Sequence, residues 1–180
     1  MKWIKAVDAG QKVLVYCSDV SGAFDKVCKP RLLAKLTAMG IHSKITTLIN
    51  SWLEPRNATV VIGGSESAPF QIKDMIFQGT VLGPQLWNLF FADAANAIKE
   101  CMYEEVIYAD DLNAYKVVPS STSVENALLS LGDVQRELRS WGAANQVAFD
   151  HTRERMHILS RLDPHGRDFR ILGVSFDCRL

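Results

Sequence analysis

The chain has 180 residues, 48% of them hydrophobic and 22% charged, with 20 Lys+Arg set against 20 Asp+Glu. That length suits one ordinary domain with a substantial core, and the composition excludes a disordered or fibrous chain. A net charge of zero argues against a free-standing nucleic-acid binder, which shows a basic excess or face.

No apolar run approaches the roughly 18 residues that a membrane span needs. The opening "MKWIKAVDAGQKV" lacks the apolar core of a secretory leader. Cys17, Cys28, Cys101 and Cys178 form no C-x-x-C pair, and the histidines show no metal spacing. A reduced intracellular setting without structural zinc is therefore the expectation.

"KVLVYCSD" (Lys12 to Asp19) is β-branched, nearly continuously apolar and ends in a carboxylate, as a central buried strand does. After Pro30, Leu32, Leu33, Leu36 and Met39 fall at helical spacing, with Gly40 as the stop. Ser43 is placed to cap a second helix with Ile45, Leu48, Ile49 and Trp52 on one face. "ATVVIGGSESAPFQIKDMIF" predicts two short strands around Gly63-Gly64. Gly83-Pro84 opens a helix whose Leu86, Leu89, Phe90, Ala94, Ala97 and Ile98 share a face. The runs flanking Asp110-Asp111 form a hairpin with the two carboxylates at its tip. "TSVE" from Thr122 is a capping box for a helix carrying Leu128, Leu131, Val134 and Leu138, ended by Gly142. Final strands are expected around Gln146–Phe149, Met156–Leu159 and Phe169–Val174. Helices packed on one face of an antiparallel sheet, an α+β class, and a single domain follow from this order.

Adjacent carboxylates need an account. Two unpaired like charges about 4 Å apart cost about 4 kcal/mol at an effective dielectric of about 20. Asp110-Asp111 is either an ordinary polar turn or a seat for something cationic. If the strand ending at Asp19 neighbours the hairpin, three carboxylates converge on one sheet edge, and all-oxygen ligands suit Mg²⁺.

"SDVSGAFDKV" (Ser18 to Val27), "FQGTVLGPQLWNLFFADA" (Phe77 to Ala94) and "YADD" (Tyr108 to Asp111) occur in that order. They resemble the three palm motifs of reverse transcriptases, most closely those of non-LTR, LINE-like retrotransposons. "SWGAANQVAFDHTRERMHILS" (Ser140 to Ser160) and "FRILGVSFD" (Phe169 to Asp177) resemble the following motif and the strand leading toward the thumb. The resemblance covers nearly the whole chain.

It implies a polymerase palm with a ferredoxin-like antiparallel sheet. Residues 1–180 would then be a domain fragment: palm plus part of the fingers, without N-terminal fingers or a C-terminal thumb. The implied activity is RNA-directed DNA polymerisation, with an RNA template, a DNA primer and dNTPs as partners and action in the nucleus. Two Mg²⁺ ions, replaceable by Mn²⁺, would be held by Asp19, Asp110 and Asp111. Val20, Ser21, Gly22, Ala23, Phe24, Gln78, Gly79 and Arg153 fall at nucleotide-binding positions. Among them Phe24 would exclude a ribose 2′-hydroxyl and Arg153 would lie near the departing pyrophosphate, where the family often has lysine. Tyr108 would pack below the Asp pair near the primer end. Phe77 departs from the family's usual proline before Gln78. Two other readings remain: a catalytically inactive remnant that keeps the palm fold, and a different two-metal palm enzyme such as a nucleotide cyclase.

Overall fold

The computed structural model describes residues 2–72 and 76–179. A short helix α1 (Lys2–Asp8), absent from the sequence expectation, precedes strand β1 (Lys12–Asp19), which falls where the apolar run predicts it. A 3₁₀ turn over Ala23–Lys26 follows Gly22. Helix α2 (Lys29–Ala38) carries Pro30 in its first turn and stops before Gly40. Helix α3 (Ser43–Trp52) is capped by His42, whose Nδ1 accepts from the Lys44 amide at 3.2 Å, and not by Ser43. Its expected apolar face is largely open: Ile49 is buried, whereas Ile45 and Leu48 are exposed.

Strands β2 (Arg56–Ala58), β3 (Val61–Ile62), β4 (Ser65–Glu66) and β5 (Phe70–Ile72) form two successive ribbons, β3 with β4 around Gly63-Gly64 and β2 with β5. The expected pair of strands is thus interrupted, and its stretch 73–75 lies outside the described residues. The single helix expected from Gly83 is two, α4 (Gly83–Phe91) and α5 (Ala94–Glu100). The break falls at Asp93, a residue type that competes with helical backbone; its carboxylate accepts from the Trp141 indole at 2.9 Å. Of the expected face, Leu86, Phe90, Ala94 and Ile98 are buried and Leu89 and Ala97 are half-buried.

Strands β6 (Glu104–Tyr108) and β7 (Asp111–Val118) make the hairpin. Helix α6 (Val124–Asn145) is capped by Ser123, whose Oγ accepts from the Asn126 amide at 3.2 Å, one residue later than the predicted box. It runs through Gly142, the expected stop, to Asn145. Strand β8 (Arg155–Leu159) agrees with expectation, but the strand expected at Gln146–Phe149 is only an isolated bridge between Phe149 and Val20. The run at Phe169–Val174 turns back at Leu172-Gly173 into a ribbon, β9 (Phe169–Ile171) and β10 (Val174–Phe176).

The described residues fall into two compact units, one spanning 2–21, 93–144 and 148–179, the other the described part of 22–92 with 145–147. In the first, the sheet runs β6-β7-β1-β8 with every pair antiparallel. Alternation sends Leu14, Tyr16, Leu112, Ala114 and Ile158 to one face, where all are buried. Helix α6 lies on this face and buries Ala127, Leu131, Val134 and Leu138. The opposite face sends Val13, Val15, Tyr115 and Leu159 into a core with Ala6 and Val7 of α1, Phe169 of β9 and Cys178. Each large side chain so buried contributes about 1.5–3 kcal/mol. The α+β class holds, and the second face is covered by α1 and the β9–β10 ribbon. In the second unit α2 packs on α3 and α4. Lys35 sits over the Phe90 ring, 4.4 Å from its centroid, and donates to the Phe90 carbonyl at 2.7 Å.

Candidate active site

Asp19 is the last residue of β1, and the register sets it directly across from Asp111, the first residue of β7. The tight loop of the hairpin is Ala109-Asp110, so only Asp110 stands at the tip; the expected two-carboxylate tip is shifted by one residue. Ala109 adopts φ 55°, a left-handed conformation that costs an L-residue roughly 1–2 kcal/mol and that persists where surrounding structure enforces it. Asp19 and Asp111 share one sheet face. Partial burial, then the negative charges of Asp19 and Asp110, push the Asp111 carboxyl above the ordinary carboxylate range. Tyr108 lies across from Asp111 and is 66% exposed, so it stands open at the hairpin and does not pack beneath the Asp pair.

The turn after α6 supplies a cation. The Asp150 amide donates to the Asp19 carbonyl and the Ser21 amide to the Ala148 carbonyl, both at 2.9 Å. Asp150 Oδ1 accepts from the Thr152 amide (2.9 Å) and hydroxyl (2.6 Å), closing the turn. From it the Arg153 guanidinium reaches Asp19 Oδ2 and lies 3.5 Å from Asp150 Oδ2. Asp19 first, then Asp150, raise the Arg153 pKa above its ordinary value. On the other side of the turn Glu154 accepts from Tyr16 (2.9 Å), Gln135 (2.7 Å) and Arg139 (2.6 Å).

A cleft of about 710 Å³ opens on the same sheet face, lined by Asp19, Asp111 and Asn113 and by Arg153, Arg155, Arg167 and Arg170. Cys17 also lines it; burial pushes its thiol up to about 12, so it is neutral and no nucleophile. Arg155, Arg167, Arg170 and Asn113 were missed in the sequence. The arginines fall in "RER" and "HGRDFR", basic clusters whose convergence depends on β9 folding back over β8.

The remaining expected residues divide between the units. Val20 is buried at its bridge to Phe149, in the unit of the carboxylates. In the other unit Gly22 takes φ 65°, a left-handed N-cap that suits glycine, and Ala23 is buried beside it. Phe24 stacks on Trp87 with centroids 5.9 Å apart. Gln78 donates to Asp25 Oδ1 at 3.2 Å, and Gly79 follows at φ 76°.

Among the described residues no group of three acidic, His or Cys side chains is arranged around a common ion position, and the Asp19 carboxylate is engaged by Arg153. The donor chemistry nonetheless fits a hard cation. All three side chains are carboxylates, burial and then the neighbouring Asp19 and Asp110 charges raise the Asp111 carboxyl, and the Arg153 guanidinium pairs with Asp19.

The antiparallel sheet with acidic side chains at the ends of neighbouring strands matches the architecture of a polymerase-type palm. The profile of the reverse transcriptase (RNA-dependent DNA polymerase) family matches residues 4–174. The RNA-directed DNA polymerase from mobile element jockey of Drosophila funebris is 31% identical over 177 residues, 88% of this chain and 19% of that protein. The retrovirus-related Pol polyprotein from type-1 retrotransposable element R2 of Popillia japonica is 26% identical over 113 residues, 57% of this chain and 19% of that one. The fold of apo telomerase from Candida tropicalis, truncated from its C-terminal domain, is similar with a TM-score of 0.71 and 12% identity, covering 98% of this chain and 37% of that one. The chain belongs to the reverse transcriptase family, in its non-LTR retrotransposon type. It spans about a fifth of the length of these curated relatives. The family works with divalent metal ions. Among the described residues no helix is long and apolar enough to cross a membrane.

Proposed function

We propose that this chain is the palm, with part of the fingers, of an RNA-directed DNA polymerase that adds dNTPs to a primer 3′-hydroxyl on an RNA template. The observation that carries the reading is the cross-strand pair of Asp19 and Asp111, with Asp110 beside it, on the face that opens into an arginine-lined cleft. Asp19, Asp110 and Asp111 would hold two Mg²⁺ ions, or Mn²⁺ in their place. Bound ions of this kind lower the pKa of an attacking hydroxyl and neutralise charge on a leaving pyrophosphate.

The chain's own side chains supply the rest. Arg155, Arg167 and Arg170 neutralise primer phosphates along the cleft, and exposed Tyr108 meets the primer end. Backbone N–H groups of Gly22 and Ala23, next to Val20 and Ser21, serve the triphosphate of the incoming nucleotide, with the small Gly22 admitting close approach. The Phe24 ring, fixed by Trp87, selects deoxyribose by bulk. Gln78 and Gly79 contact the nucleotide and template, and Arg153 balances charge on the departing pyrophosphate.

Primer extension on an RNA template, with Mg²⁺ and then Mn²⁺, tests the reading. Wild type is expected to extend, and Asp110→Asn to lose roughly a thousandfold or more, several kcal/mol of transition-state stabilisation. A second reading, an inactive remnant that keeps the palm, is favoured by the engagement of Asp19 with Arg153. It takes over if folded, monodisperse wild type extends no primer under either ion.

A further inference from the structure

The backbone at Arg153 is held in place by its turn, while its guanidinium reaches Asp19 from an exposed side chain. The turn is tied to β1 through the Asp150 amide on the Asp19 carbonyl, closed by Thr152, and anchored on its far side by Glu154 with its three donors. The Arg153 side chain is 67% exposed, whereas that of its partner Asp19 is 14% exposed. A nearly buried carboxylate therefore has its charge matched by a guanidinium that can swing away without disturbing the fold. The second acceptor, Asp150 Oδ2 at 3.5 Å, keeps the arginine nearby once it leaves.

We propose that Arg153 is a built-in competitor for the cation at Asp19: a divalent ion is taken up there only as the guanidinium lets go, and the arginine so released becomes available to the anionic polyphosphate of the incoming nucleotide. This rests on Asp19 being a metal ligand, as proposed above. Metal uptake and arginine release are then one coupled event, and the affinity for the ion is set lower than three carboxylates alone would give. Guanidinium is suited to both positions because its fork matches carboxylate and phosphate alike.

The test is Mn²⁺ binding to the chain without nucleotide or primer, followed by the electron paramagnetic resonance signal of the free ion. Arg153→Gln is expected to tighten Mn²⁺ binding about threefold to fivefold, the range set by an ion pair with one open partner. Arg153→Lys, which keeps the charge, is expected to remain near wild type. Asp19→Asn is expected to weaken binding, and the double variant Asp19→Asn/Arg153→Gln to show no gain over it, which a merely structural role for Arg153 does not predict. Equal or weaker binding by Arg153→Gln, with Asp19→Asn still weaker than wild type, overturns the competitor role and leaves the metal site standing. No Mn²⁺ binding by any of the five chains overturns the metal site, and the competitor role falls with it.

Discussion

His157 is a buried imidazole with an unusual set of neighbours. It is 2% exposed, stacks on Phe169 with centroids 4.0 Å apart, and sets Nδ1 3.8 Å from the Cys178 sulfur, while Nε2 has no hydrogen-bond partner. Gly166 passes over the ring where a Cβ would lie 2.5 Å from Nδ1, and its φ of +101° excludes other residues as well. Burial first, then the nearby Arg155 charge, lower the imidazole pKa from 6.5 to about 4. As pH falls below 6.5 the unfolded chain takes up this proton before the folded one does. Stability is therefore lost between pH 6.5 and about 4, by roughly 3 kcal/mol from this group. Thermal melts of wild type and His157→Gln across that range are expected to show the shallower pH slope in the variant. In the sequence this histidine was indistinguishable from the other three, since the alternation of β8 shows that it faces inward but not that β9 closes over it. The carboxylates Asp19, Asp110 and Asp111 were legible for the opposite reason: adjacent like charges at the end of an apolar strand are costly enough to demand an explanation.

Among the elements, the turn between α6 and β8 depends most on one side chain. Glu154 is nearly buried and accepts from Tyr16 on β1 and from Gln135 and Arg139 on α6, joining the sheet to its covering helix beside the Asp19 end. Tyr16→Phe removes one donor and leaves the carboxylate with two, an expected loss of about 1–2 kcal/mol visible in the urea midpoint without a change of slope. Continuous apolarity made β1 readable in advance, and helical or strand spacing did the same for α2, β8 and the buried stripe of α6. The errors cluster where local pattern does not decide. The α6 cap moves from Thr122 to Ser123, and Gly142 is carried through because helix packing outweighs its modest intrinsic penalty. Ile45 and Leu48 had helical spacing yet are exposed, because spacing names a face without naming what covers it.

Over the whole chain, a net charge of zero coexists with four arginines converging on one cleft. Composition averages over the surface, whereas a phosphate responds to charges within about a Debye length of roughly 10 Å at 0.1 M salt. Binding of a primer–template duplex is accordingly expected to depend steeply on salt. Replacing Arg155, Arg167 and Arg170 together by Gln is expected to weaken it and to reduce the slope of log affinity against log salt by roughly two to three. An unchanged slope, measured by titration at several salt concentrations, would remove those arginines from the interface. The three carboxylates could be placed from short motifs, but no motif marks this basic lining, whose members come from β8 and from the segment that returns over it.

The alignment of Asp19 with Asp111 also says something about how such a chain can drift as it is copied. Strand side chains alternate, so a single residue inserted between Asp111 and Leu112 would carry that carboxylate to the wrong side of the sheet. The same insertion at Gly63-Gly64 lengthens only the end of a ribbon. Descendants of this sequence should therefore tolerate many substitutions around the hairpin while its length stays invariant, and should differ in length at the ribbon.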